Sequence, residues 1–157
     1  MPEPGTARLH ATCVAVGADG VLLLGAPGAG KSDLALRLID QAGAGFSGRL
    51  RAAQLVADDQ VLLRRDADGV VATAPASIKG RLEIRGLGIV SLPVRDGVTL
   101  TLAVRLVPAA AIARLPEPAD SRFDLLGVSL PLLLVDPLAA SAPARIRAAL
   151  DHFGASE

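Results

Sequence analysis

The segment Val21-Leu22-Leu23-Leu24-Gly25-Ala26-Pro27-Gly28-Ala29-Gly30-Lys31-Ser32-Asp33-Leu34-Ala35-Leu36-Arg37-Leu38-Ile39 joins three signals in nineteen residues. Its opening aliphatic run reads as a buried strand. Leu34, Leu38 and Ile39 recur at helical spacing. Between them, from Gly25 to Ser32, lies G-x-x-x-x-G-K-S, the phosphate-binding-loop pattern, in the strand-to-helix setting it requires. The residue types suit a polyanion. Gly25, Gly28 and Gly30 carry no Cβ, so backbone N–H groups can turn inward around phosphates. Ala26, Pro27 and Ala29 complete the loop. The following helix start adds unpaired N–H groups and the positive end of its dipole. Lys31 would reach β and γ phosphates, and the Ser32 hydroxyl would ligate Mg²⁺. The plain alternative is a glycine-rich turn with no ligand.

The remaining composition narrows the classes. The chain has 157 residues, 51% of them hydrophobic but only 2% aromatic, so the core must be built from Leu, Val, Ile and Ala. Charges balance at 16 against 16, which lacks the basic footprint of a nucleic-acid binder. Lys31 and Lys79 are the only lysines. Cys13 is alone in an apolar stretch and reads as a buried structural thiol. The apolar runs are too short to span a bilayer, and the N-terminus has no signal-peptide pattern, so a soluble cytoplasmic protein is expected.

Working outward, Leu9 to Val16 reads as a strand, and Ala18-Asp19-Gly20 as the turn of a hairpin with Val21–Leu24. Residues 1–6 look like a loose end. The helix from Lys31 should stop near Ala42-Gly43. Residues 43–48 look like a loop, and 49–54 are ambiguous. Strands are expected to end at Leu55-Val56-Ala57 and to resume at Val61, Val70, Val98–Val107 and Val128–Val135. Residues 78–90 fit no simple element. Residues 108–121 read as loop or short helix, and Ser141 to Phe153 as a closing helix. About eight strands and two helices leave too few crossovers for a doubly wound fold. The expected fold class is α/β: a strand-rich mixed sheet carrying a P-loop, in one domain covering residues 1–157.

Asp58 and Asp59 sit at the end of a predicted strand. Neighbours on a strand face opposite ways, so only one of them is expected at the loop. That carboxylate could hold Mg²⁺ through water or accept the proton of an attacking hydroxyl; an exposed pair opening a turn is the alternative. Glu83 lies between Leu82 and Ile84, where a carboxylate is costly unless paired or metal-bound. Arg81 and Arg85 could pair with it on a surface strand. His10 has no local signature, nor do Arg114 and Asp136.

The phosphate loop followed by Leu55-Val56-Ala57-Asp58-Asp59 and then Leu82-Glu83-Ile84-Arg85-Gly86-Leu87-Gly88-Ile89 resembles the C-terminal catalytic domain of HPr kinase/phosphorylase, from about His10 to Arg147. The closest likeness is to short single-domain α-proteobacterial forms, which lack the family's N-terminal domain. The resemblance implies a fold similar to the nucleotide-binding core of phosphoenolpyruvate carboxykinase. It implies ATP and Mg²⁺ as cofactors and, as partner, HPr or an HPr-like carrier of the sugar phosphotransferase system. By the same resemblance His10 matches an active-site histidine, Lys31 the loop lysine and Ser32 a Mg²⁺ ligand. Asp58 matches the proton acceptor, Glu83 the second Mg²⁺ ligand and Arg114 an active-site arginine. Full-length relatives form hexamers, which leaves self-association open.

There are departures from the family pattern. Where the family carries a P-V-x-P-G-R-N-like stretch associated with phosphorolysis, this chain reads Val135-Asp136-Pro137-Leu138-Ala139-Ala140-Ser141. A kinase with weak or lost phosphorylase activity is therefore expected. Residues 43–54 form a longer segment than expected, read as a surface loop without a role, and the segment after Ile89 is short. Two other readings remain: a kinase of the same fold acting on another protein or a small hydroxyl compound, and a non-catalytic ATP sensor.

Overall fold

A computed structural model of the chain describes residues 3–153. Eleven strands and two helices follow one another: β1 (Thr6–Leu9), β2 (Thr12–Val16), β3 (Asp19–Leu24), α1 (Lys31–Asp40), β4 (Ala53–Ala57), β5 (Val61–Asp66), β6 (Gly69–Thr73), β7 (Arg81–Ile84), β8 (Gly88–Ser91), β9 (Val98–Leu106), β10 (Arg122–Leu125), β11 (Val128–Val135) and α2 (Ala142–Phe153). The main sheet runs β1-β5-β6-β9-β3-β2-β4, with β11 also on β9 and β10 on β11. It is mixed: β3–β9 and β9–β11 are parallel, and the other pairs are antiparallel. β7 and β8 form a separate hairpin.

The central strands are mostly apolar because both their faces are covered. Val21 and Leu23 of β3, with Leu102 and Val104 of β9, face α1 and α2 through Leu34, Leu38, Ile146 and Leu150. Leu22 and Ala103 face the other way, toward Val61, Leu63, Val70 and Ala72 of β5 and β6 and Leu125 and Leu130 of the β10–β11 hairpin. The sheet thus covers its second face with its own curled strands, which is why two helices suffice. No helix of the described residues is long and apolar enough to cross a membrane. Cys13 is fully buried, and burial pushes its thiol pKa well up.

Several boundaries differ from the sequence expectation. The strand expected from Leu9 to Val16 breaks at His10-Ala11 into β1 and β2, which pair with different neighbours. Thr6, placed in the loose end, opens β1, while Met1 and Pro2 lie outside the described residues. α1 stops at Asp40, earlier than expected. Residues 78–90 resolve into the β7–β8 hairpin, and β10 was not anticipated.

Of residues 43–54, expected to be idle, Ala53 and Gln54 open β4, and the loop before them is strapped to α2. Arg51, only 11% exposed, donates to Asp151 at 2.8 Å and to the Arg147 carbonyl at 3.3 Å. Arg147 is buried and donates to the carbonyls of Leu38 and Arg51. Asp151 also accepts from the Phe46 and Ser47 amides at 2.6 and 3.1 Å. Desolvation works against the Asp151 charge, but these amides, then Arg51 and Arg49, outweigh it and hold its pKa below the usual carboxylate range. A carboxyl so depressed stabilises the fold above its unfolded pKa of about 4, and that contribution is lost as pH falls through the folded value. Wild type should therefore lose stability on acidification more steeply than Asp151→Asn. Urea melts from about pH 6 down to about pH 3 test this, and equal slopes would show that the strap adds nothing.

Candidate active site

The phosphate loop leaves the C-terminal end of β3 and closes at α1. Gly28 and Gly30 have φ of 82° and 106°, a left-handed backbone that glycine adopts freely. Gly30 is the N-cap residue of α1. Lys31, only 7% exposed, donates from Nζ to the carbonyls of Gly25 at 2.7 Å and Ala26 at 3.1 Å. The ammonium is thus held by the loop's own oxygens, within the loop that would receive phosphate.

The loop forms one wall of a cleft of about 590 Å³. Pro27, Gly28, Ala29, Gly30, Lys31 and Ser32 line it, together with His10, Asp58, Asp59 and Glu83. Gly25 and Ala26 border a shallower depression on the loop's other side, beside Leu24, Arg105 and Phe123, and His10 borders both. Arg114 does not come to the cleft. It is exposed, between the 3₁₀ turns at Ala109–Ala111 and Pro118–Asp120, and is absent from the cleft lining.

Asp58 follows β4 directly and is buried, 8% exposed. Its Oδ1 accepts two hydroxyl hydrogen bonds, from Ser32 at 2.7 Å and Thr12 at 2.9 Å. Among the described residues no hydrogen bond reaches its Oδ2.

The expectation that only one of the two aspartates faces the loop is corrected. The strand ends at Ala57, and Asp59 takes a left-handed backbone with φ of 71°, so strand alternation no longer applies. Asp59 reaches the same cleft and pairs with His10 Nε2 at 2.7 Å.

Glu83 alternates with the fully buried Leu82 on β7 and faces the cleft while exposed, so it bears no burial cost. Among the described residues it makes no ion pair with Arg81 or Arg85. Arg85 lies beyond the end of β7. Ser32, Asp58 and Glu83 give the cleft a hard-oxygen donor set, which fits Mg²⁺ completed by phosphate and water.

Beside the loop, Pro137 lines the same cleft, its Cβ 3.4 Å from the place of a Cβ on Gly30. Arg37 of α1 fixes this wall by donating to the Pro137 and Ala139 carbonyls. Its i,i+4 pair with Asp33 is exposed and contributes only about 0.3–0.5 kcal/mol, so the carbonyl bonds matter more to placement.

Thr12, Arg85 and Pro137 were not singled out as site residues from the sequence, and Asp59 was considered only as one of a pair of which a single member would face the loop. Thr12 left a readable signal, a hydroxyl inside an all-buried strand that must find a partner. Asp59 and Arg85 leave none beyond their neighbours.

Known proteins match this chain. The model of the HPr Serine kinase C-terminal domain family matches residues 5–135. An HPr kinase/phosphorylase of Clostridium tetani is 34% identical over 122 residues, 77% of this chain and 36% of that protein. One of Bacillus pumilus is 36% identical over 124 residues, 78% of this chain and 36% of that protein. The chain therefore spans little more than a third of these relatives' length. The solved structure of the Hpr(Ser) kinase/phosphatase from Coxiella burnetii superposes with a TM-score of 0.74 at 26% identity, covering 93% of this chain and 90% of that one. The strand-rich mixed sheet expected from the sequence is this fold.

Proposed function

The chain belongs to the HPr serine kinase C-terminal domain family, and from that premise we propose that it is an ATP- and Mg²⁺-dependent protein serine kinase acting on HPr or an HPr-like carrier. The observation that carries this reading is the convergence of Lys31, Ser32, Asp58 and Glu83 on one cleft. A pure sensor has no use for a proton acceptor beside its phosphate loop.

In this reading the N–H groups of Gly28 to Ser32 cradle the phosphates. Lys31 exchanges the Gly25 and Ala26 carbonyls for β and γ oxygens. Ser32 and Glu83 would hold Mg²⁺, which when bound spreads the charge of the γ-phosphate. Asp58 takes the proton of the carrier's serine hydroxyl through Oδ2. The serine oxygen then bonds to the γ phosphorus as the bond to the β–γ bridging oxygen breaks and ADP leaves. Catalysis is mainly positioning and charge stabilisation. A cytoplasmic setting and self-association belong to the same reading.

Phosphorolysis is proposed to be weak or lost. The wall at residues 135–141 carries no arginine, and its Asp136 is engaged with the Leu138 amide.

Transfer of label from γ-labelled ATP to a serine of purified HPr, dependent on Mg²⁺, tests the proposal. Tight ATP binding without labelled HPr would redirect it to another acceptor or to a sensor. Pyrophosphate formed from phospho-HPr and phosphate at a rate near the kinase rate would overturn the phosphorylase reading.

A further inference from the structure

The Ser32 hydroxyl has one proton, and it is committed to Asp58 Oδ1. The lone pairs of Ser32 are thereby left for a cation in the cleft. That arrangement lasts only while the Asp58 carboxylate keeps its rotation. Asp58 stands just past the end of β4, where no strand pairing holds it. The second bond that fixes the rotation comes from Thr12, which is 1% exposed and reaches the same oxygen at 2.9 Å. Thr12 is itself fixed by β2, paired to Leu23 of β3, the strand that feeds the phosphate loop.

We infer that Thr12 is a positioning residue: it locks Asp58 so that the Ser32 proton stays parked and its oxygen faces the metal. The inference rests on the reading of Ser32 as a Mg²⁺ ligand. A hydroxyl there solely to satisfy itself in the core would have no effect on metal use.

The test is nucleotide affinity with and without Mg²⁺, read with a fluorescent ATP analogue on the whole chain. Wild type should bind more tightly with Mg²⁺. Thr12→Val, which keeps the shape, should lose about tenfold of that Mg²⁺-dependent gain while its metal-free affinity stays within about twofold, the scale of one charge-assisted hydrogen bond. Thr12→Ser should recover most of the gain. Thr12→Ala serves as a second variant should valine disturb folding, with the same result expected. In an Asp58→Ala background, Thr12→Val should change nothing further. A full Mg²⁺ gain in Thr12→Val or Thr12→Ala, or Thr12→Ser as impaired as valine, would overturn the inference alone. No Mg²⁺ gain in wild type would overturn the reading of Ser32 and the inference with it.

Discussion

Lys31→Ala is expected to lower phosphate transfer to HPr by about 10³-fold, the upper range for removing one donor from a site of developing charge. The fold should survive. Lys31 caps two loop carbonyls, on Gly25 and Ala26, and these residues are partly or fully exposed, so water can replace it. The loss in stability should be about 1 kcal/mol, since α1 is held by Leu34, Ala35 and Leu38 rather than by Lys31. Lys31→Arg should not restore activity, because a planar fork cannot occupy the small space of an ammonium between two carbonyls. Label transfer and a thermal melt on the same preparations check both statements. A variant retaining a tenth of wild-type transfer would remove Lys31 from the reacting centre.

Asp58→Asn is expected to lower kcat by about 10²–10⁴-fold with little change in the KM for ATP. The asparagine keeps a carbonyl oxygen that can accept from Ser32 and Thr12 as Oδ1 does now. What it lacks is a second basic oxygen. Asp58→Ala removes both functions and should also weaken Mg²⁺-dependent nucleotide binding. The contrast between the two variants separates proton acceptance from the orientation of Ser32. Equal kcat in Asp58→Asn and wild type would move the proton acceptor elsewhere, with the His10–Asp59 pair in the same cleft as the next group to test.

The phosphate loop was legible because its chemistry is local: the strand, the glycines, Lys31 and Ser32 are contiguous. Asp58 and Glu83 were legible through short segments that keep their spacing. Contacts closed over long separations were not. The Thr12–Asp58 bond spans 46 positions, and no spacing rule points from one to the other. Asp59 was misjudged because strand alternation was extended two residues past the end of the strand at Ala57. The β7–β8 hairpin was obscured by its glycines: Gly86 sits in the turn with φ of 89°, and Gly88, with φ of 112°, opens β8. β10 was missed because Arg122-Phe123-Asp124-Leu125 is short, half charged and follows a proline-rich stretch. Arg114, placed by family resemblance alone, lies outside the cleft.

The strand that carries the phosphate loop is gripped from both sides, with Leu23 in one apolar cluster and Leu22 in the other. Lys31, Ser32 and, through Thr12, Asp58 are anchored to that double-walled block. Glu83 is not: its hairpin is a sheet of its own, and of its two strands only Leu82 is buried. The cleft therefore has one rigid jaw and one lightly held jaw, because the few buried contacts of the hairpin make it the cheaper part to displace. Any adjustment of the cleft to its contents costs least on the Glu83 side.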